Sequence, residues 1–180
     1  CKIMRRFIHI LLVLTLSAGL CSAEGARHHV SLDGGWEFRQ KGDSLWMPAQ
    51  VPGCVHTDLM ANGVIEDPFY GRNEKSMQWI GEKDWEYRKV FHADSGMVSM
   101  NNVWLVMEGV DTYAEISING LPVAQTDNMF RTWTFDIKDV LKAGQNEIRI
   151  LFRSVFSQDM PKYLDAPYRL QAWPNNDQSD

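Results

Sequence analysis

Cysteine is scarce in this chain, and several motifs that carry chemistry are missing. Only three of the 180 residues are cysteines, and two of them, Cys1 and Cys21, fall in an N-terminal segment that we expect to be removed. Cys54 would then be alone, so no disulfide could form within the chain. The histidines show no spacing typical of a metal site, and there is no glycine-rich phosphate loop and no nucleophile elbow. We therefore expect no metal ion and no cofactor.

The N-terminal apolar stretch is too short to cross a bilayer comfortably. It occupies residues 7–20, whereas a transmembrane helix needs roughly 20 apolar residues. Arg5 and Arg6 precede it, and small residues ending at Ala23 follow it. A basic start, a short apolar core and a small-residue exit predict a secretory signal peptide over residues 1–23. We expect cleavage after Ala23 and a secreted or periplasmic protein.

Two other interpretations of this segment fit the residues less well. A buried core helix is disfavoured by the paired arginines before the apolar stretch and by Glu24 after it. A lipoprotein anchor on Cys21 is disfavoured because the residues Ala-Gly-Leu before it lack the large apolar residue with which such a motif usually starts.

The segment that would remain, residues 24–180, is acidic and is long enough for one domain. The whole chain has 18 Lys and Arg against 23 Asp and Glu, and residues 1–23 contain three of the basic residues and none of the acidic ones, so the remainder carries a net charge of minus eight. Such a domain is a poor partner for nucleic acid or an anionic membrane surface. We expect a neutral partner.

Short strand patterns separated by turn signals dominate the rest of the chain. Residues 113–119 alternate cleanly, and Asn119-Gly120 then predicts a tight hairpin. The almost wholly apolar run 103–108 predicts a strand covered on both faces. Further strands are predicted at residues 36–38, 85–91, 121–123, 130–136 and 148–152. This pattern predicts an all-β fold, an antiparallel β-sandwich.

Two segments depart from the strand pattern. Residues 56–63 predict a short helix that ends at Gly63, and residues 66–79 predict a long loop, polar and aromatic, with little periodicity.

The seven tryptophans suit a protein that binds sugars, because a flat aromatic ring beside amides and carboxylates matches the apolar faces and hydroxyls of a pyranose. Most tryptophans nevertheless fill cores. We expect a core position for Trp36, Trp85, Trp104 and Trp133, which lie in predicted strands. Trp79, in the long loop, fits either role.

Several segments, taken in chain order, form a combined signature: Leu-Asp-Gly-Gly-Trp-Glu-Phe at 32–38, Val-Pro-Gly-Cys-Val-His-Thr-Asp-Leu at 51–59, Asp-Pro-Phe-Tyr-Gly-Arg-Asn-Glu at 67–74, Gln-Trp-Ile at 78–80, Trp-Glu-Tyr at 85–87, Glu-Gly-Val-Asp-Thr-Tyr-Ala at 108–114, Ile-Asn-Gly at 118–120, Asn-Met-Phe at 128–130 and Gly-Gln-Asn at 144–146. Together they resemble the N-terminal sugar-binding domain of family 2 glycoside hydrolases, and the segments at 51–59 and 67–74 resemble its β-mannosidase branch. The resemblance runs from about residue 30 to 156.

The resemblance implies a jelly-roll sandwich of the galactose-binding-like type over residues 24–180. In the family this domain precedes Ig-like domains and a (β/α)8 barrel, and the barrel carries the acid/base and nucleophile glutamates. We expect those parts to lie outside this chain, so no glutamate here inherits a catalytic role. The parent protein would be an exo-acting, retaining β-mannosidase that acts on terminal non-reducing β-D-mannose residues.

By resemblance, the loop between residues 67 and 79 is the part expected to approach the sugar pocket. Its candidate substrate-binding residues are Asp67, Asn73, Glu74 and Trp79. The alternative is that the Asp-Pro and Asn-Glu pairs only fold the loop.

Two other functions remain open from the residues. The same domain occurs in β-galactosidases and β-glucuronidases, whose selectivity residues lie mainly in the barrel. A free-standing carbohydrate-binding or adhesion sandwich, with no enzyme attached, would also have this composition.

The signal-peptide prediction is tested at the N-terminus of the exported protein. We expect mass analysis or Edman sequencing of secreted material to give a mature chain that starts near Glu24. An exported protein that still begins at Met4 would contradict this prediction.

Overall fold

The computed structural model describes residues 29–168, and the predicted signal peptide lies outside this range. Its main compact unit starts at Leu32. No helix within the described range is long and apolar enough to cross a membrane. The strands are β1 (Trp36–Gln40), β2 (Met47–Ala49), β3 (Trp85–Ala93), β4 (Trp104–Met107), β5 (Tyr113–Ile118), β6 (Leu121–Asp127), β7 (Trp133–Asp136) and β8 (Gly144–Phe152). The helices are α1 (Val55–Ala61), α2 (Asn73–Ser76), α3 (Trp79–Glu82), α4 (Ser95–Ser99) and α5 (Val155–Asp165), with a 3-10 turn at Lys138–Val140.

The strands form two antiparallel sheets. The larger sheet has six strands in the order β2-β1-β3-β8-β5-β6, and the smaller pairs β4 with β7. Residues from both sheets contribute to one hydrophobic core, with Phe38, Ile116 and Ile148 from the large sheet and Leu105 from the small one. Two sheets that enclose a shared core have the layering of a β-sandwich.

The hairpin between β5 and β6 forms where the sequence predicts it. Asn119 and Gly120 both have positive φ, 54° and 79°, which is the geometry of a type I′ turn. The Asn119 side chain also donates to the carbonyl of Val140 and to Oδ1 of Asn146, both at 2.8 Å. These bonds fasten the turn to the start of β8, so the Asn-Gly and Gly-Gln-Asn segments serve the fold.

The prediction of a fully covered strand at residues 103–108 is wrong. Leu105 is buried, but Trp104 and Val106 on the other face of β4 are each 56% exposed. Within residues 29–168, β4 pairs only with β7, and the opposite residues Thr134 and Asp136 are exposed as well. An apolar run therefore does not report how many faces of a strand are covered. Trp104, expected in the core, lies at the surface.

The prediction of a long loop at 66–79 is also wrong, because α2 and the first residue of α3 lie within this segment. These helices have four residues each, too few for a helical hydrophobic period to show in the sequence. The predicted helix at 56–63 is observed as α1, and Gly63 follows it with φ +69°. That conformation lets the Val64 N–H reach the carbonyl of Leu59 at 2.9 Å and close the helix.

A buried carboxylate attaches α1 to the large sheet. Asp58 is 2% exposed, and its Oδ2 accepts from the Tyr87 hydroxyl at 2.8 Å while Oδ1 accepts from the Gln50 N–H at 2.9 Å. Burial, together with the bond to this carboxylate, raises the pKa of Tyr87 well above its usual value, so the hydroxyl stays protonated and donates. A buried carboxylate is tolerated only with such partners.

This attachment predicts the effect of Tyr87→Phe. The substitution keeps the ring but removes one donor from the buried Asp58, and the free energy of unfolding is expected to fall by roughly 1–3 kcal/mol. Urea unfolding measures the change. Tyr113→Phe is the matched control, because the Tyr113 hydroxyl bonds the exposed Lys162 and Asp159 near the surface. It should cost less than Tyr87→Phe, because water can replace a hydrogen bond at the surface, and equal losses in the two variants would contradict the assigned role of Asp58.

Candidate functional site

The segment between α1 and β3 is folded by its own polar side chains. Oδ1 of Asp67 accepts from the Phe69 N–H at 2.9 Å, which forms an Asx turn. The Asn73 amide donates to the carbonyl of Asp67 at 2.9 Å and to the Glu66 carboxylate at 3.3 Å. These bonds hold the stretch from 66 to 73 in one conformation.

Apolar side chains attach the same segment to the core. Met77 and Ile80 are buried, and the indole N–H of Trp85 donates to the Ile80 carbonyl at 3.0 Å. The rings of Trp79 and Trp85 lie 6.1 Å apart, within the range of favourable aromatic contacts. The segment therefore has a packed inner side and a defined outer surface.

That outer surface contains a small cavity of about 250 Å³. It is lined by Val64, Ile65, Glu66, Asn73, Ser76, Met77 and Trp79. Complete small-molecule sites usually enclose about 300–1,000 Å³. The cavity is thus smaller than a complete small-molecule site.

The structure brings together two of the four predicted site residues. Asn73 and Trp79 line the cavity. Asp67 lies next to it, and its side chain folds the loop. Glu74 is exposed on α2, and its carboxylate has no hydrogen-bond or ion-pair partner among residues 29–168. Glu66 lines the cavity although it was not among the predicted residues.

Trp79 differs from the tryptophans that fill the core. The indole N–H groups of Trp36 and Trp85 donate to the carbonyls of Leu32 and Ile80, at 2.7 and 3.0 Å. That of Trp79 has no acceptor among the described residues, and the described part of the chain contains no buried side-chain nitrogen or oxygen without a partner. The Trp79 N–H is therefore not buried, and Trp79 is one of the residues that line the cavity. A half-buried ring with a free donor, beside the Glu66 carboxylate and the Asn73 amide oxygen, can contact both a pyranose face and its hydroxyls.

A polar cluster fixes the other end of the segment. Asp84 accepts from the Ser154 N–H at 2.8 Å and from Arg153 at 2.9 Å, and the Ser154 hydroxyl donates to the Gly81 carbonyl at 2.7 Å. Partial burial alone would raise the pKa of Asp84, but the bonds from Ser154 and Arg153 outweigh it and lower this pKa. The cluster ties α3 to the junction of β8 and α5.

The described part of the chain contains no cluster of side chains that could bind a metal ion. No group of three or more His, Cys, Asp or Glu side chains within residues 29–168 is arranged to hold a metal ion.

A family model described as the glycosyl hydrolase 2 galactose-binding domain-like domain matches residues 36–180. The chain belongs to this family. The membership confirms the predicted all-β, galactose-binding-like fold, which agrees with the antiparallel sheets of the structure.

The relatives identify the branch. A β-mannosidase of Capra hircus is 42% identical over 147 residues, a match that covers 81% of this chain and 17% of the relative. The β-mannosidase B of Thermothelomyces thermophilus is 42% identical over 130 residues, which cover 71% of this chain and 15% of that protein. A crystal structure of a β-D-mannosidase from Dictyoglomus thermophilum is 43% identical with a TM-score of 0.76, and the match covers 79% of this chain and 18% of that chain. The predicted resemblance to the β-mannosidase branch is confirmed, and the chain spans less than a fifth of these relatives.

The Asp84 cluster predicts an acid-sensitive contribution to stability. Because the folded-state pKa of Asp84 lies below its ordinary value of 3.8, the contribution is complete above about pH 4 and is lost as the pH falls through the lowered pKa. Asp84→Asn should reduce the free energy of unfolding by roughly 1–3 kcal/mol at pH 7. Urea unfolding between pH 7 and pH 2.5 should show the gap between the two proteins closing in acid.

Asp43→Asn is the control for this series, since the exposed Asp43 side chain has no bond within residues 29–168. It should leave the pH dependence of stability unchanged. A gap between wild type and Asp84→Asn that is constant from pH 7 to pH 2.5 would show that the charge of Asp84 has no role.

Proposed function

We propose that this chain is the N-terminal domain of an exported, exo-acting β-mannosidase that removes terminal non-reducing β-D-mannose residues with retention. The observation that carries the proposal is the agreement of two kinds of similarity with β-mannosidases, 42% sequence identity and a TM-score of 0.76 at 43% identity. Export rests on the basic, apolar and small-residue pattern of residues 1–23.

Retention requires two carboxylates about 5–5.5 Å apart on either side of the scissile bond. In this proposal a barrel domain outside the chain supplies both. The contribution of the present domain is positional, because a sugar held in the reactive orientation needs less ordering at the moment of reaction.

The segment from Glu66 to Trp79 is the part of the domain suited to that task. The Trp79 ring offers an apolar surface and one free N–H, and the Asn73 amide oxygen can accept from a hydroxyl. Both are pre-positioned, since the bonds of Asn73 to Asp67 and the packing of Trp79 on Trp85 already order these side chains. Pre-ordering reduces the entropy lost on binding.

Substitution of Trp79 in the full-length protein separates binding from folding. Trp79→Phe keeps an apolar ring against Trp85 but removes the free N–H, and one net hydrogen bond to a sugar hydroxyl contributes about 0.5–1.5 kcal/mol. We therefore expect kcat/KM for an aryl β-mannoside to fall by roughly two- to tenfold, with little change in Tm. Trp104→Phe, at an exposed position on β4 away from the cavity, should change neither quantity.

Asn73→Ala extends the test to the second cavity residue. It should lower kcat/KM and also lower Tm modestly, because the same amide folds the loop. Gln78→Ala is its control, since within residues 29–168 the Gln78 side chain bonds only the Glu74 carbonyl and does not line the cavity. Normal kinetics in both Trp79→Phe and Asn73→Ala would make the segment purely structural. Faster hydrolysis of an aryl β-galactoside or β-glucuronide than of the mannoside would contradict the proposed substrate.

A further inference from the structure

The outer face of the six-stranded sheet contains a second cavity, distinct from the one beside Trp79. Its volume is about 540 Å³, within the range of about 300–1,000 Å³ that small-molecule sites occupy. None of the residues that line it belongs to the segment between α1 and β3. It therefore needs an explanation of its own.

The strand register assigns its lining to two neighbouring rows of side chains. One row runs Glu86, Leu151, Glu115 and Gln125 across β3, β8, β5 and β6. The next row includes Arg149 and Ser117, which are directly opposite each other. Directly opposite residues on antiparallel strands point to the same face. An apolar centre, Leu151, is thus flanked by a carboxylate on each neighbouring strand.

A β-bulge gives the cavity its outer wall. The pairing of β5 with β6 shifts between Ile116 and Ser117, whose partners are Ala124 and Pro122, so that Val123 is the extra residue. A bulge bends the strand and increases its twist. Pro122 and Val123 line the cavity at this edge, so the bulge lies at its border.

Ion pairs hold the polar groups of the cavity in place. Arg39 donates to Oε2 of Glu86 at 2.6 Å, and Arg153 donates to Oε1 of Glu115 at 2.8 Å. Within residues 29–168 the other oxygen of each carboxylate has no hydrogen-bond partner, so each presents an oriented acceptor. Arg149 is paired in the same way with Glu147 at 2.6 Å.

An indole lies beside the cavity. The Arg39 and Arg88 guanidinium groups lie 4.3 and 4.1 Å from the Trp46 ring centroid, and Arg149, which lines the cavity, lies 6.0 Å from it. The cation–π contacts order a ring that adjoins the side of the cavity formed by Arg149.

The balance of charged side chains at the cavity limits the kind of ligand that it can bind. Each of the three arginines, Arg39, Arg149 and Arg153, is already matched by a glutamate. Arg153 also pairs with Asp84, which Lys41 approaches at 3.9 Å. With Lys41 included, four cations face four carboxylates, so neither an anion nor a cation finds an unmatched partner among these groups. What remains is a set of fixed carboxylate acceptors and the Gln125 amide around an apolar centre, and these match vicinal hydroxyls and a pyranose face. We propose that this cavity is a second carbohydrate site, one that binds an internal segment of a neutral polysaccharide.

Affinity electrophoresis of the full-length protein through a native gel that contains soluble galactomannan tests the proposal. An exo-acting pocket engages only chain ends, whereas this open face can engage internal segments. We expect wild type to be retarded and the Glu86→Gln/Glu115→Gln double variant to lose at least fivefold in apparent affinity. The exposed Gln125 has no partner within residues 29–168, so Gln125→Ala should weaken retardation without affecting folding. Gln145→Ala, an exposed glutamine on β8 outside the cavity, should behave as wild type.

Two further measurements, of hydrolysis and of oligomeric mass, separate this proposal from others. Aryl β-mannoside kcat/KM should stay within twofold in every variant, because the small substrate reports only on the catalytic pocket. A protein that hydrolyses no β-mannoside would refute the function proposed above, while its retardation would still report on this cavity. Absence of retardation of wild type, or equal retardation of the variants at Glu86, Glu115 and Gln125, would overturn the second site. So would a change of oligomeric mass in those variants, measured by light scattering, since the face would then be an interface between copies of the chain.

Discussion

The buried carboxylate of Asp58 is the contact on which the position of the candidate site depends. It joins α1 to β3 through Tyr87 and to the end of β2 through Gln50. The segment that carries Glu66 and Trp79 leaves α1 and returns to the sheet at Trp85. The Asp58 attachment positions its first end, and the Asp84 cluster fixes the end near Trp85. A carboxylate at 2% exposure would be strongly destabilising without its donors. The same bonds that make Asp58 tolerable therefore also fix the wall of the proposed pocket.

The two proposed sites depend on opposite faces of the six-stranded sheet. Strand alternation places Tyr87, Ile150 and Ile116 toward the core and their neighbours outward. On the inner side, packing on the sheet and the Asp84 cluster hold the Trp79 segment. On the outer side, side chains of alternating charge pair with one another and surround Leu151. A one-residue change of register would exchange the faces and remove both sites together, which links the stability of the sheet to both functions.

Sequence patterns predicted the parts of the fold that depend on neighbours along the chain. The Asn119-Gly120 hairpin and the alternation of β5 follow from local backbone geometry and period, and both are observed. The sequence predicts a core position for Trp104 because it lies in a predicted strand that is almost wholly apolar, but coverage of a strand depends on elements distant in sequence. The helices α2 and α3 are too short to show a period, and Glu66 carries no pattern that separates it from an ordinary surface carboxylate. Its contact with Asn73 appears only once the loop is folded.

The residues in the motifs of the family resemblance fall into two groups, according to whether their side chains hydrogen-bond within the chain. The polar side chains of Asp58, Asp67, Asn119 and Asn146 bond to the chain itself, and they therefore explain the fold. Trp79 keeps a free donor, and it faces a cavity. When a polar atom that is already bonded within the protein exchanges that bond for one to a ligand, its net contribution to binding is small. Resemblance in the first group indicates a shared architecture. Residues of the second group have unused hydrogen-bonding groups at a cavity, and they are the candidates for sugar recognition.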